Sequence, residues 1–155
     1  MVSVLFVCLG NICRSPMAEA VMRRLIEQKG LSGEITVDSA GTGSWHAGEA
    51  PHEGTRRKLD AEDVSYEGMA ARQLEKQDFE KFDYIVCMDE QNIRDARKML
   101  GQPDDPKIIR LLDLTGNAGD VPDPWYTDNF NETYELVTAG CRELLGKIER
   151  EQFGG

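Results

Sequence analysis

The chain has 155 residues, 40% of them hydrophobic, which suits one domain spanning 1–155 around one core, and no segment is long and apolar enough to span a membrane. A formal net charge of −10 disfavours nucleic acid or an anionic membrane surface as a main partner. The four cysteines, at positions 8, 13, 87 and 141, are too scattered for the disulfide framework of a small secreted protein.

The chain opens on a strand, Val2 to Val7, rather than on a charged-then-apolar leader, and reads as cytoplasmic. This strand is apolar almost without break, as in a parallel sheet covered on both faces. Gly10 follows, and Asn11 is one of the few other residues that tolerates a left-handed backbone, so the chain can curl with successive N–H groups turned inward as an anion cradle. A helix is predicted to open at Ser15-Pro16, where the proline's missing N–H costs nothing, and to stop at Gly30. Its N-terminus points about half a positive charge at the cradle, and Arg14 adds a planar, bidentate one. Cys8, at the carboxyl end of the strand, faces this field. Cysteines so placed have their pKa lowered from ~8.5 to roughly 3.5–7.5, so Cys8 is expected to be an ionised nucleophile at neutral pH. Cys8 and Cys13 have a spacing that zinc sites allow, but no second pair follows, and His46 and His52 are not arranged as ligands.

Further elements alternate. A second strand is predicted over Ile35–Ser39, a helix between His52 and Ala61, and a third strand over Phe82–Met88. Asp89 suits an N-cap for a helix through Leu100 that Gly101 closes; a fourth strand follows over Lys107–Leu112, and a last helix over about Glu132–Glu149. Cys87 in a strand and Cys141 in a helix read as packing residues. This order implies a three-layer α/β fold: right-handed crossovers, a parallel sheet and helices on both faces.

The polar segment from Asp113 to Asn131 is long for a structureless loop, and such loops are usually functional or disordered. Within it Pro122 and Pro124 stiffen the backbone on either side of Asp123, and Trp125 and Tyr126 follow. Phosphoryl transfer from an aryl ester to Cys8 needs a proton at the leaving oxygen, and general acid catalysis typically contributes about 10²–10⁴-fold. Asp123 could supply that proton and then take one from water; Asp120 and Asp128 are less constrained rivals.

These residues resemble the low-molecular-weight protein tyrosine phosphatase family over nearly the whole chain. Val7 to Glu19 matches its phosphate loop and first helical turn, and Asp38 to Thr42, Phe82 to Asp89 and Asp123 to Tyr126 are similar to its later signatures, in the same order. The resemblance implies four parallel strands, with the phosphate loop between the first strand and the first helix, and a two-step reaction through phosphocysteine with no metal or cofactor. By position Cys8 is then the nucleophile, Arg14 clamps two phosphate oxygens, and Asp123 is acid then base. The N–H groups of the loop Leu9-Gly10-Asn11-Ile12-Cys13-Arg14-Ser15 hold the remaining oxygens. Ser15 hydrogen-bonds the Cys8 thiolate, Asn11 and Ser39 brace the loop from behind, and Ile12, Trp45, Trp125 and Tyr126 wall a pocket for a phenyl ring. Cys13 matches a second loop cysteine that traps oxidised Cys8 as a disulfide. One departure is visible. Where several relatives have a histidine, this chain has Met69 ahead of Ala70-Ala71-Arg72-Gln73, which implies a smaller bracing network.

The implied partners are phosphotyrosine-containing proteins, with phosphate and similar oxyanions as inhibitors and the chain acting as a monomer that self-associates weakly if at all. Three alternatives have their own marks. A related arsenate reductase needs two further closely spaced cysteines, and Cys87 has no such partner nearby in the sequence. Related protein-arginine phosphatases resemble a version with threonine where Ile12 stands. A non-catalytic phosphopeptide-binding module would keep Gly10, Asn11 and Arg14 but has no reason to keep both Cys8 and Asp123.

Overall fold

The computed structural model of the chain describes residues 1–154. Four strands, β1 (Val2–Cys8), β2 (Ile35–Gly41), β3 (Tyr84–Cys87) and β4 (Ile108–Arg110), form one sheet in the order β2-β1-β3-β4, every neighbouring pair parallel. The helices are α1 (Arg14–Gln28), α2 (Glu53–Ala61), α3 (Asp78–Lys81), α4 (Glu90–Leu100), α5 (Pro124–Thr127) and α6 (Phe130–Gln152). The period of two along β1 divides the core. Val2, Val4, Phe6 and Cys8 join a cluster with Met17, Met22, Leu144 and Ile148 of α1 and α6, while Leu5 and Val7 join one with Ala96 and Leu100 of α4. Helices therefore cover both faces, and the central strand is apolar on both.

The chain leaves β1 for β2 on one side and later places β3 on the other, so the strand order reverses at β1. Crevices outside the carboxyl ends of parallel strands at such a switch point are where ligands of open α/β sheets bind. Cys8 is the last residue of that strand.

Helix α1 ends near the predicted stop, with Gly30 at φ +70. Asp89 caps α4 by accepting the Asn92 N–H at 2.7 Å, and Gly101 closes it in the left-handed region. Other boundaries differ from the sequence reading. β2 continues to Gly41, whose partner in the ladder is Cys8, whereas β3 is confined to four residues. β4 stops at Arg110, because Leu111–Leu114 tighten into a 3-10 turn that buries Leu111 and Leu112 against α6. Gly140 admits Leu111, since a Cβ there would lie 2.4 Å from the leucine Cγ. The last helix starts upstream of its predicted position because Asn129 accepts the Glu132 N–H and caps it. The polar segment before it is not structureless: Asp123 accepts the Trp125 N–H and caps α5, with Pro124 at its first position. Among the described residues no helix is long and apolar enough to cross a membrane.

Candidate active site

Between β1 and α1 the chain turns through residues 9–13, with Asn11 at φ +56. Gly10 is not in the left-handed region; its small size instead admits His46, whose Cδ2 would sit 3.2 Å from a Cβ at that position. The left-handed turn at Asn11 brings its N–H to Cys8 Sγ at 3.3 Å, and Ser15 Oγ lies 3.0 Å from the same sulfur. The end of β2 holds the turn from behind: the Thr42 and Gly43 N–H groups donate to the Cys8 and Leu9 carbonyls at 2.9 and 2.8 Å. Only glycine fits at position 41, where a Cβ would stand 2.8 Å from the Leu9 carbonyl oxygen and 3.1 Å from Asn11.

The hydrogen positions behind Cys8 follow from the donor inventory. Asn11 Oδ1 accepts the Arg72 N–H at 3.0 Å, which fixes the amide orientation. Asn11 Nδ2 then donates to Ser15 Oγ at 2.8 Å and to Ser39 Oγ at 3.0 Å. Both hydroxyls are thereby acceptors and must place their own hydrogens elsewhere. Ser15 donates to Cys8 Sγ, and Ser39 donates to Glu19 Oε1 at 2.6 Å. Glu19 is buried on α1 and also accepts from Arg23. Burial pushes its carboxyl above the usual range, against the pull of the Ser39 hydroxyl and Arg23. With Met69 at that position, the Arg72 backbone N–H satisfies Asn11 Oδ1 and Arg23 supplies the cation beside Glu19.

Arg14 is 2% exposed, and ordinarily that would oppose its charge. Desolvation is the largest influence on it and acts to lower its pKa, but the sulfur of Cys8 and the carboxylates of Asp89 and Asp123 together outweigh it and the net direction is up. Nη1 donates to Asp89 Oδ2 at 2.7 Å and to the Val121 carbonyl at 2.9 Å, while Nη2 lies 3.5 Å from Asp123 Oδ2. The same Asp89 that caps α4 therefore orients the guanidinium. Cys13, buried within the loop, has its thiol pushed up to about 12 by burial first, then by the charges of Cys8 and Asp123.

Cys8, Leu9, Gly10, Ile12, Cys13, Arg14, Asp123, Trp45, His46, Trp125 and Tyr126 line one cavity of about 260 Å³. Its floor is polar and cationic and its rim aromatic: Trp45, Trp125 and Tyr126 are 70%, 53% and 78% exposed, so the rings stand in solvent around the opening. Gly43 leaves room for the Trp45 ring, which a Cβ would overlap at 1.9 Å. Trp125 is held by both histidines, with ring centroids 5.7 Å from His46 and 5.6 Å from His52. Asn11, Ser15 and Ser39 lie behind the floor rather than in the cavity. Asp120 and Asp128 do not line the cavity; Asp128 is the left-handed C-cap of α5.

Sequence reasoning read Asp89 only as a cap and did not single out Glu19, Arg72 or His46. For Asp89 a signal existed, since it stands just past the carboxyl end of a core strand, the same side of the sheet on which β1 ends at Cys8. For Glu19, Arg72 and His46 the partners lie 20, 61 and 79 residues away at Ser39, Asn11 and Trp125, a separation no local pattern encodes.

Comparison with known proteins matches residues 3–153 to the family model described as low molecular weight phosphotyrosine protein phosphatase. The chain is 53% identical over 154 residues to the low molecular weight protein-tyrosine-phosphatase YfkJ of Bacillus subtilis, covering 98% of this chain and 99% of that protein. The crystal structure of YfkJ superposes with a TM-score of 0.95 over 98% of this chain and 97% of the other. The protein-tyrosine-phosphatase PtpA of Staphylococcus epidermidis is 43% identical over 152 residues, 97% of this chain and 96% of its own length. The low molecular weight protein tyrosine phosphatase SP-PTP of Streptococcus pyogenes is 38% identical with a TM-score of 0.88, covering 99% of this chain and 97% of the other.

Proposed function

The chain belongs to the low molecular weight phosphotyrosine protein phosphatase family, and from that premise we propose that it hydrolyses phosphotyrosine in proteins, and small aryl phosphates, through a phosphocysteine on Cys8. The observation that carries this reading is Cys8 Sγ on the floor of the cavity, between the Ser15 hydroxyl and the Asn11 N–H, with Arg14 and Asp123 lining the same space.

The reaction proceeds in two displacements. The phenyl ring enters between Trp45 and Tyr126, with Ile12 and Trp125 completing an apolar wall, and its phosphate reaches the loop. Arg14 spends both Nη1 hydrogens on Asp89 and Val121, which leaves the Nε–Nη2 edge as a fork for two phosphate oxygens, while the loop N–H groups take the others. The Cys8 thiolate attacks phosphorus in line; the P–O bond breaks as Asp123 passes its proton to the departing phenolate. Asp123, now a carboxylate, removes a proton from water. That water attacks phosphorus, the S–P bond breaks, and the thiolate leaves as inorganic phosphate is formed. Ser15 donates to the sulfur as its charge returns. Phosphate and related oxyanions occupy the same loop and inhibit competitively.

Cys13 and Cys8 line one cavity and support a redox role: peroxide converts the Cys8 thiolate to a sulfenic acid, and the Cys13 thiol displaces water from it to form a disulfide that external thiols reduce. Oxidation also removes the Cys8 charge that helps to hold the Cys13 thiol protonated. The chain works as one domain, as a cytoplasmic monomer that self-associates weakly at most.

A panel of phosphotyrosine, phosphoserine and phosphoarginine peptides tests the proposal. Phosphotyrosine is expected to be turned over and the others not, because Ile12 offers an apolar surface to the substrate and the aromatic rings of Trp45, Trp125 and Tyr126 line the same cavity. Preferred turnover of phosphoarginine would overturn the substrate assignment, and binding without turnover would overturn the enzyme. Asp123→Ala is expected to slow aryl phosphates with poor leaving groups by about 10²–10⁴-fold and those with good ones little; equal slowing would remove Asp123 as the acid.

A further inference from the structure

Asp123 hangs on a short segment whose upstream tie lies outside the cavity. Residues 115–119, Thr-Gly-Asn-Ala-Gly, carry two glycines, and Gly119 adopts φ +153, a backbone that side-chain-bearing residues rarely take. The next residue, Asp120, is where the segment is fastened. Its Oδ1 accepts the Arg110 Nη1 hydrogen at 2.9 Å and the Glu90 N–H at 3.0 Å. Arg110, the last residue of β4, is itself held by Asp113 through Nε and Nη2, each 2.9 Å from Asp113 Oδ1. Glu90 opens α4 and follows Asp89, the carboxylate that orients Arg14. Val121 then clips the chain once more, its N–H to the Met88 carbonyl at 2.9 Å and its own carbonyl to Arg14. Pro122 fixes one further dihedral before Asp123.

We propose that Asp120 is a positioning residue for Asp123: its bridge between the end of β4 and the start of α4 sets where the acid stands relative to the phosphate that Arg14 binds. The inference rests on Asp123 being the acid. The pair is half open to solvent, Asp120 53% and Arg110 22% exposed at their side chains. Exposed ion pairs contribute little to global stability, so the consequence is geometric rather than a matter of folding. Geometry suffices, because a displacement on the order of 1 Å at a reacting group can cost about 10²-fold in rate. Asp120 carries no proton to the substrate in this scheme.

The test measures kcat/KM for 4-nitrophenyl phosphate and phenyl phosphate in Asp120→Ala, Asp120→Asn and Arg110→Met, with Asp123→Ala as reference and iodoacetate inactivation of Cys8 as a readout of the nucleophile. Asp120→Ala is expected to lose roughly 10-fold on phenyl phosphate and less than about threefold on the nitrophenyl ester, with the Cys8 inactivation rate unchanged. Asp120→Asn keeps an oxygen that accepts both hydrogens and retains most of the activity. Arg110→Met shows the same leaving-group signature, weakened because the Glu90 N–H remains. Equal losses on both esters, equal losses in the Asn and Ala variants, or no loss at all would overturn the inference while Asp123→Ala keeps its signature. Absence of the signature in Asp123→Ala takes down both the acid assignment and this one.

Discussion

Replacing Ser15 by alanine removes one donor from Cys8 Sγ and leaves the Asn11 N–H at 3.3 Å as the remaining hydrogen bond to the sulfur. The Ser15 hydrogen must point at the sulfur because its oxygen already accepts from Asn11. Hydrogen bonds to charged groups contribute about 1.5–3 kcal/mol, and about 1.4 kcal/mol is tenfold in rate, so the change is worth about 10- to 150-fold. The loss falls unevenly on the two displacements. In the first the thiolate is consumed, and the missing donor leaves a more reactive nucleophile; in the second the thiolate is the leaving group, and only the Asn11 N–H still hydrogen-bonds its returning charge. Phosphocysteine is therefore expected to accumulate. Rapid-quench kinetics with 4-nitrophenyl phosphate should show a burst approaching one nitrophenol per enzyme, followed by turnover slowed by about 10- to 150-fold, with the adduct visible in the intact mass. Asn11 Nδ2 also loses an acceptor in a buried site, at a cost of about 1–3 kcal/mol, so the melting temperature is monitored in parallel. A fall in kcat without a burst, or an unchanged kcat in a folded variant, would refute the assignment of Ser15 to the second displacement.

Asp89→Asn keeps an oxygen for the helix cap but removes the charge facing the buried Arg14, so kcat/KM and stability are both expected to fall, and Asp89→Ala adds a cap loss of about 0.5–2 kcal/mol in urea unfolding. Peroxide inactivation of the parent chain is expected to reverse with thiols and that of Cys13→Ser to be permanent; unchanged recovery in the variant removes Cys13 from the scheme. Alkaline stability carries its own signature: the Cys13 thiol is pushed up to about 12, and burial pushes Cys87 and Cys141 up as well. Unfolded thiols lose their protons above ~8.5 while the folded ones keep theirs, so the unfolded state binds fewer protons and stability falls as pH rises from there toward about 12, by roughly 1.4 kcal/mol per unit per thiol. Urea melts at rising pH should flatten in Cys13→Ser, and an unaltered slope would contradict the burial of that thiol.

The turn from Cys8 to Pro16 was legible in the sequence because its chemistry is contiguous. An apolar strand, a residue tolerant of φ +56 and a proline at the start of a helix are set by sterics within a few residues, and they aim N–H groups and a helix end at one point whatever the rest of the chain does. The alternation of strands and helices likewise announced a parallel sheet with helices on both faces. The strand order, β2-β1-β3-β4, was not legible, since it depends on which crossover packs on which face. That order puts β3 beside β1, and so brings Asp89 and the Met88 carbonyl to the loop; with them come Arg14's partner and the anchor of Val121. The long polar segment reads as a loop because its hydrophobic content is low, yet Asp123 caps a short helix within it and Asp120 pins it to β4. Local backbone preference determined where a phosphate can be held. Which distant carboxylates reach that place is a matter of long-range charge pairing, and only the packed sheet, with its strand ends gathered on one side, decided it.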